Sequence, residues 1–326
     1  MQTPPEQKIE PRCDACGNLI DDEDLFCSNC GREAEREGEA APPAIEEGFI
    51  GFDCATCGAS LTYDARAEGL RCAFCGSVSL VRQPSATGRI RASSYIPFEV
   101  AREAAQRAFE RWIGSGFFRP FGIRDEARVV SMNPVYVPFW SFQGRAHTYW
   151  AADSSETPAF ARAEWCPVSG EREGRVENVL VPASGSISDA ELSSISPYDM
   201  DRMAPYRRED LAGYAVEDFG RSRRESRSRA RRAMVEAERA ACAALVPDRS
   251  RNVHVSPIFY DLRSDPVLLP IWINAFRYQE KTYRFLVNGQ TGKVSGDAPF
   301  SLAKVALVAA VAIIILFLIL LFVAGG

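Results

Sequence analysis

The sequence predicts an α+β protein with two small cysteine-held units, a duplicated helix-plus-antiparallel-sheet body and one C-terminal apolar helix. Three observations predict it. Four Cys-x-x-Cys-Gly pairs crowd the N-terminal quarter. A proline–tryptophan stretch occurs twice, as "VYVPFW" (135–140) and "VLLPIW" (267–272). The run from Val305 to Val323 carries no charge. At 326 residues the chain is long enough for two modest domains. Its formal net charge of −5 is too small for bulk electrostatics to announce a nucleic-acid binder. The expected organisation is one cysteine unit at 1–31, an acidic linker at 32–48, a second cysteine unit at 49–82 and a linker at 83–94. A repeat at 95–190, a connecting segment at 191–218, a second repeat at 219–300 and a terminal helix at 301–326 complete it.

The first twelve residues, "MQTPPEQKIEPR", are polar and have no apolar h-region, so no secretory signal is expected. "CDACG" and "CSNCG" then place Cys13, Cys16, Cys27 and Cys30 in one group. "CATCG" and "CAFCG" place Cys54, Cys57, Cys72 and Cys75 in another. Two intervening residues let both sulfurs of a pair reach one metal from a tight turn. The glycine that follows each pair (Gly17, Gly31, Gly58, Gly76) supplies a positive φ, so nearby N–H groups turn toward the sulfurs. Two such turns close a tetrahedral four-cysteine site, the usual closed arrangement of structural zinc. The fold class therefore includes two N-terminal four-cysteine zinc ribbons, holding two structural zinc ions. Disulfides and rubredoxin-like iron are the alternatives. A reducing compartment argues against the first, and two short hairpins would shield an iron centre poorly. With four protein ligands per metal there is no open coordination position, so the sites build structure.

Each group also has a resemblance. "CDACGNLIDDEDLFCSNCG" is similar to the short bacterial zinc ribbon that ends in Phe-Cys. "FDCATCGASLTYDARAEGLRCAFCGS" resembles the transcription-factor-IIB-type ribbon, with Tyr63-Asp64 before the return strand. Such ribbons bind DNA, RNA or protein without a common rule. The linker between them, "REAEREGEAAPPAIEEG", has six acids against two arginines, which weakens a phosphate-binding reading.

In the body, "FEVAREAAQRAFERWI" (98–113) puts Phe98, Ala101, Ala105, Ala108, Phe109 and Trp112 at helical spacing. "ARVVSM", "VYVPFWSFQG" and "AHTYWA" follow as three strands, and "RAEWCPVSG" adds another. A second helix around Arg229 to Val246 leads into "NVHVSPIFYDL", "VLLPIWINAFRY", "KTYRFLVNG" and "TGKVSG". Each half thus runs helix, strand, proline–tryptophan strand and returning tyrosine strand (Tyr149, Tyr283). The proline suits a strand start or a bulge, because it cannot donate to a ladder. The tryptophan is core. "NGQTG" reads as a hairpin turn with Asn288 and Gly289 at positive φ, and "YRFLVNGQTGKV" resembles the closing hairpin of PepSY-type domains.

As a helix, Val305 to Val323 spans roughly 28 Å, close to the hydrocarbon thickness of a bilayer. It is apolar on every face, unlike a buried soluble helix. Lys293 and Lys304 precede it, and positive flanking charge stays cytoplasmic. The expectation is a single-pass, tail-anchored protein of the cell (inner) membrane. Residues 305–323 would sit in the lipid bilayer, with the ribbons and body in the cytoplasm.

Taken in order, the ribbon at 54–75, "VYVPFWSF", "VLVPAS", "SPYD" with "APYRREDLAGY", and "LLPIW…YRFLVNGQTGKVSG…PFS" before a terminal span resemble a bacterial family of membrane-anchored zinc-ribbon proteins. Some members carry a primosomal-helicase-like label. The resemblance covers 50–323 and implies no activity. This chain lacks the prolines of the common "CPxCG" knuckle, which changes no ligand.

No Gly-x-x-x-x-Gly-Lys-[Ser/Thr] stretch exists, so nothing is built to cradle a triphosphate. "GSGFF" (114–118) reads as a helix-ending turn. His147 and His254 sit in strands with no motif joining them to a nucleophile. Cys166 and Cys242 read as small buried hydrophobes. "RSRRESRSRARR" (221–232) has seven arginines against one glutamate, and is either a solvated helix face or an anionic-partner surface for lipid or RNA. The leading expectation is a non-enzymatic, membrane-tethered adaptor that recruits a cytosolic protein, with no small-molecule substrate. A membrane-tethered nucleic-acid binder using the second ribbon and residues 221–232 is the alternative, and a hydrolase with an unrecognised site the third. Because linkers flank the second ribbon, Cys57→Ser is expected to unfold it and leave the body folded.

Overall fold

The computed structural model describes residues 12–13, 15–17, 20, 27, 49–64, 70–83, 92–156 and 164–324, with side chains at all of these except 49, 64, 208 and 316–324. The acidic linker at 32–48 lies outside the described residues. Three short strands come first: β1 (Phe49–Cys54), β2 (Ser60–Asp64) and β3 (Leu80–Arg82). Then follow β4 (Ser94–Tyr95), α1 (Arg102–Ser115), α2 (Ile123–Glu126), β5 (Arg128–Ser154) and β6 (Cys166–Pro182). After α3 (Asp189–Ile195), β7 (Ala204–Pro205) and β8 (Ala215–Glu217) come α4 (Arg223–Ala243), β9 (Ser250–Tyr278), β10 (Lys281–Asn288), β11 (Val294–Gly296) and α5 (Leu302–Ala324). The result is a mixed, sheet-rich α+β body. One 11-stranded sheet runs β11-β10-β9-β5-β8-β2-β1-β3, with β6 on β5 and β4 on β9.

Two strands dominate. β5 has 27 residues and β9 has 29, each about 90 Å if straight at ~3.3 Å per residue. They pair antiparallel from Arg128↔Arg277 to Ser154↔Ser250. The separate strands expected on either side of each proline–tryptophan stretch are therefore fused. At the break expected between "VYVPFWSFQG" and "AHTYWA" the ladder absorbs an extra residue as a bulge between Gln143 and Arg145, and it does so again between Ala151 and Asp153. Asp261 and Asn252, near these slips on the partner strand, take φ of 52°. Tyr149 accordingly lies on the same strand as Trp140, whereas Tyr283 does lie on the returning β10.

The two halves repeat with their helices exchanged. β8 pairs in parallel with Val135 and Tyr136 of β5, and β4 pairs in parallel with Val267 and Leu268 of β9. β4 leads into α1, whose Ala105, Phe109 and Ile113 pack with Trp272, Phe276 and Phe285 of the second half. β8 leads into α4, whose Ala230 and Met234 pack with Trp140, Phe142, Val176 and Val181 of the first half. Each indole is held alike. Trp272 Nε1 donates to Val100 O at 2.9 Å, and Trp140 Nε1 donates to Arg221 O at 3.1 Å, in both cases just before a helix. Phe98 meets Trp272 edge-on at 5.6 Å, and Phe219 meets Trp140 edge-on at 5.5 Å. Val137 faces Leu269 at the middle of this arrangement.

The closing turn differs from its expected form. Gly292, with φ 76°, carries the positive φ in place of Asn288 and Gly289. Asn288 is fully buried and acts as a clasp. Its Oδ1 accepts from Gln290 N and Thr291 N, while its Nδ2 donates to Ile195 O and Pro197 O. Gly289 is required for space, since a Cβ there would lie 2.5 Å from Phe98 Cε1. The "SPYD" and "NGQTG" stretches are thus two sides of one fastening.

The expected transmembrane helix is corrected. Backbone helix α5 forms over Leu302–Ala324, but among the described residues no helix is long and apolar enough to cross a membrane. Lys304 lies in the first turn of α5, its ammonium 3.9 Å from the Phe121 ring centroid. The tail anchor, the single-pass topology and the cell-membrane location that rested on that span fall with it.

Candidate metal centre

The Cys54–Cys75 unit is made by two identical turns. Gly58 N donates to Cys54 O and Gly76 N to Cys72 O, both at 2.8 Å, and both glycines have positive φ (74° and 73°). Cys13 and Gly17 repeat the turn, with a 2.8 Å bond and φ 67°. The Sγ atoms of Cys54, Cys57, Cys72 and Cys75 all lie within 4.8 Å of one another. Cys54 approaches Cys75 at 3.5 Å and Cys57 approaches Cys72 at 3.6 Å. These separations exceed a disulfide, at about 2.05 Å. They suit four sulfurs about 2.3 Å from one tetrahedral ion. No disulfide joins the described cysteines. Burial works against ionising Cys54, but the N–H groups of Cys57 and Thr56 outweigh it and hold that thiol below its usual range; burial pushes Cys57 and Cys72 up. Such a cluster favours a cation that would neutralise it.

In the first group, Cys13, Cys16 and Cys27 come together around Ile20, with Cys16 and Cys27 Sγ at 3.5 Å. Cys30 and Gly31 lie outside the described residues. Two clusters could therefore hold metal ions.

The second unit is woven into the body, which its flanking linkers did not suggest. β2 pairs with β8 through Leu61↔Glu217 and Thr62↔Val216. Asn133 Nδ2 donates to Ala73 O at 2.7 Å, inside the second knuckle, and Thr62 Oγ1 donates to Asp218 at 2.9 Å. Cys54, Leu61, Cys72 and Ala73 share a core with Val135, Val137, Leu269 and Ile273.

Sequence reasoning passed over Glu217, because a lone acid beside "YAVEDFG" carries no pattern. It is 3% exposed, on the strand that joins the cysteine unit to the body. Ser186 Oγ donates to its Oε1 at 2.5 Å, while Oε2 is buried without a partner. Burial raises its carboxyl from 4.5 to about 7, against the lowering pull of Ser186, Ser184 and Arg284. A carboxyl held protonated in the folded chain stabilises it below the unfolded value, and that contribution is lost as pH rises from 4.5 to about 7. The expected size is about 3 kcal/mol. Urea unfolding of Glu217→Gln beside the parent should show the variant gaining relative stability between pH 5 and 7.5. Parallel pH dependences would remove Glu217 as the cause.

The arginine run forms the first half of α4, started by a capping box between Ser222 and Glu225. Several arginines are used by the fold. Arg223 lies 5.2 Å from the Trp140 ring centroid, Arg231 lies 5.8 Å from that of Phe259, and Arg221 donates to Pro182 O. Arg229 and Arg232 line a cleft of about 690 Å³ between α3 and α4, but Asp189, Asp199, Asp201 and Glu236 line it too. Arg229 pairs with Asp189 at 3.6 Å. His147 sits between Glu171 and Glu173, and Cys242 is buried on the inner face of α4.

No family model matches the chain, and no solved structure matches it. It is similar to a protein of Bacillus subtilis (strain 168) named "Uncharacterized protein YdjG". The two are 26% identical over 325 residues, covering 91% of this chain and 92% of the relative.

Proposed function

We propose that this chain is a non-enzymatic zinc-ribbon adaptor that holds a partner protein. The observation that carries it is the four-sulfur cluster of Cys54, Cys57, Cys72 and Cys75, built into the body sheet. Four thiolate donors fill a tetrahedral ion's shell, which leaves no position for a substrate and makes the site an organiser of surface. Beside it, β3 ends the sheet, and Val78 and Val81 are 65% and 60% exposed there. Apolar side chains at a sheet edge suit contact with another protein. A relative matched over nearly its whole length supports treating the cysteine units and body as one working assembly. Zinc is the metal of choice for an all-thiolate site without redox work, and Cys13, Cys16, Cys27 and Cys30 would take a second ion.

The arginines of residues 221–232 favour this reading over nucleic acid, because Arg221, Arg223, Arg229 and Arg231 are engaged by carbonyl, ring or carboxylate. Elemental analysis of the purified chain should find two zinc ions; iron in their place overturns the metal assignment. The whole chain, used as bait with and without nuclease, should retain a protein partner in both. A catch that disappears on nuclease treatment would replace the adaptor by a nucleic-acid binder.

A further inference from the structure

The four sulfurs of the second cluster differ in access. Cys54 and Cys72 are 2% and 0% exposed, whereas Cys57 and Cys75 are exposed. Each exposed sulfur faces a buried one across the two turns, Cys75 toward Cys54 at 3.5 Å and Cys57 toward Cys72 at 3.6 Å. In the first group Cys13 and Cys27 are buried and Cys16 is half-buried. Among the described cysteines, the second cluster therefore presents the more open thiols, each with a resolving partner in reach. Sulfurs that ligate a metal are thiolates, so exposure decides which of them a peroxide reaches, and a nearby second thiol decides whether the product is a disulfide.

We propose that the second cluster is an oxidation site for peroxides, in which Cys57 and Cys75 are attacked and Cys72 and Cys54 resolve them across the turns. The thiolate sulfur attacks one peroxide oxygen, the O–O bond breaks, and with one proton taken up the products are a sulfenic acid and water. The resolving thiol's sulfur then attacks the sulfenic sulfur, the S–O bond breaks, and a disulfide and a second water form. Each pair gives two electrons to one hydrogen peroxide. A site that loses two thiolate donors no longer closes around an ion.

The consequence reaches the body, because the sulfurs must approach from about 3.5 Å to about 2.05 Å while Cys72 and Ala73 are seated in the core. The Asn133 bond to Ala73 O and the β2–β8 ladder are the contacts at risk. Peroxide would in this way loosen the cysteine unit from the sheet.

The test uses the whole chain loaded with zinc, its metal content measured before oxidant is added. Hydrogen peroxide is then titrated in, with metal release read by a chromogenic chelator and disulfides mapped by mass spectrometry of proteolytic peptides. The expected links are Cys54–Cys75 and Cys57–Cys72, forming in step with release and reversed by dithiothreitol plus zinc. Hydrogen-exchange protection should fall over 60–64 and 215–217, and Cys166→Ser should change none of this. Links within a turn, Cys54–Cys57 or Cys72–Cys75, overturn the proposal, as do four reduced thiols when Cys166 or the first group has already oxidised. A chain that takes up no zinc sinks the zinc assignment alone, since the disulfide map is still read on it.

Discussion

Cys57→Ser is expected to lower the stability of the whole described fold by 5 kcal/mol or more, on the order of half the ~10 kcal/mol that a structural zinc site contributes. Cys57 is exposed, so replacing its sulfur by a hydroxyl removes a metal donor and disturbs almost no packing. Whatever stability is lost comes from the metal. Flanking linkers alone imply that the loss stays within residues 49–82. The contacts argue otherwise: Leu61, Cys72 and Ala73 sit in the same core as Val135, Val137 and Leu269, and β2 continues the body sheet through β8. Unfolding should therefore be followed by the fluorescence of Trp140 and Trp272, which lie in the body, together with elemental analysis. A variant that has lost its second metal ion while the body unfolds at an unchanged urea midpoint would show that the two parts are energetically separate.

Truncating either tryptophan to alanine should cost about 3–5 kcal/mol, the usual range for a large aromatic in a core. Trp140 is 2% exposed and Trp272 is 6% exposed. The pattern of the loss matters more than its size. Trp140→Ala should free the hydrogen exchange of α4, and Trp272→Ala that of α1, because each indole anchors the helix that precedes the other half's long strand. Phenylalanine in either place keeps most of the packing but leaves a carbonyl without its donor, so about 1 kcal/mol is expected. If Trp140→Ala loosens α1 instead, the exchange of helices is not what holds the halves together. Strong acrylamide quenching of either indole in the folded protein would contradict its burial.

The cysteine clusters were legible in the sequence because their geometry is local. Two residues and a glycine fix each turn, and the positive φ of Gly17, Gly58 and Gly76 is a property of that short stretch. The tryptophans were legible as core because they recur in the same apolar setting. The lengths of β5 and β9 were not. "VYVPFWSFQG" and "AHTYWA" read as two strands, and within an isolated segment nothing distinguishes a break from a bulge. The distinction is made by the partner strand, where Arg145 finds Tyr260 directly after Gln143 has found Arg263. The docking of the second cysteine unit escaped for a related reason. Asn133 and Ala73 are 60 residues apart, and Thr62 and Asp218 are 156 apart. A polar residue that bonds across such a distance carries no local mark. The terminal run failed differently: its composition describes nineteen residues as one apolar stretch, whereas among the described residues no helix is long and apolar enough to cross a membrane.

The exchanged helices make the chain behave as a pair of clasped hands. Neither palm closes on itself: the first half's strands are covered by α4, which follows them, and the second half's by α1, which comes long before. A ribosome delivering this chain therefore releases a first half whose Trp140 has no cover until residues beyond 220 emerge. The fold has no early resting point, and completion of one half is completion of both. Two polypeptides divided between β6 and α4 would each be an open hand, and only together could they regain the grip.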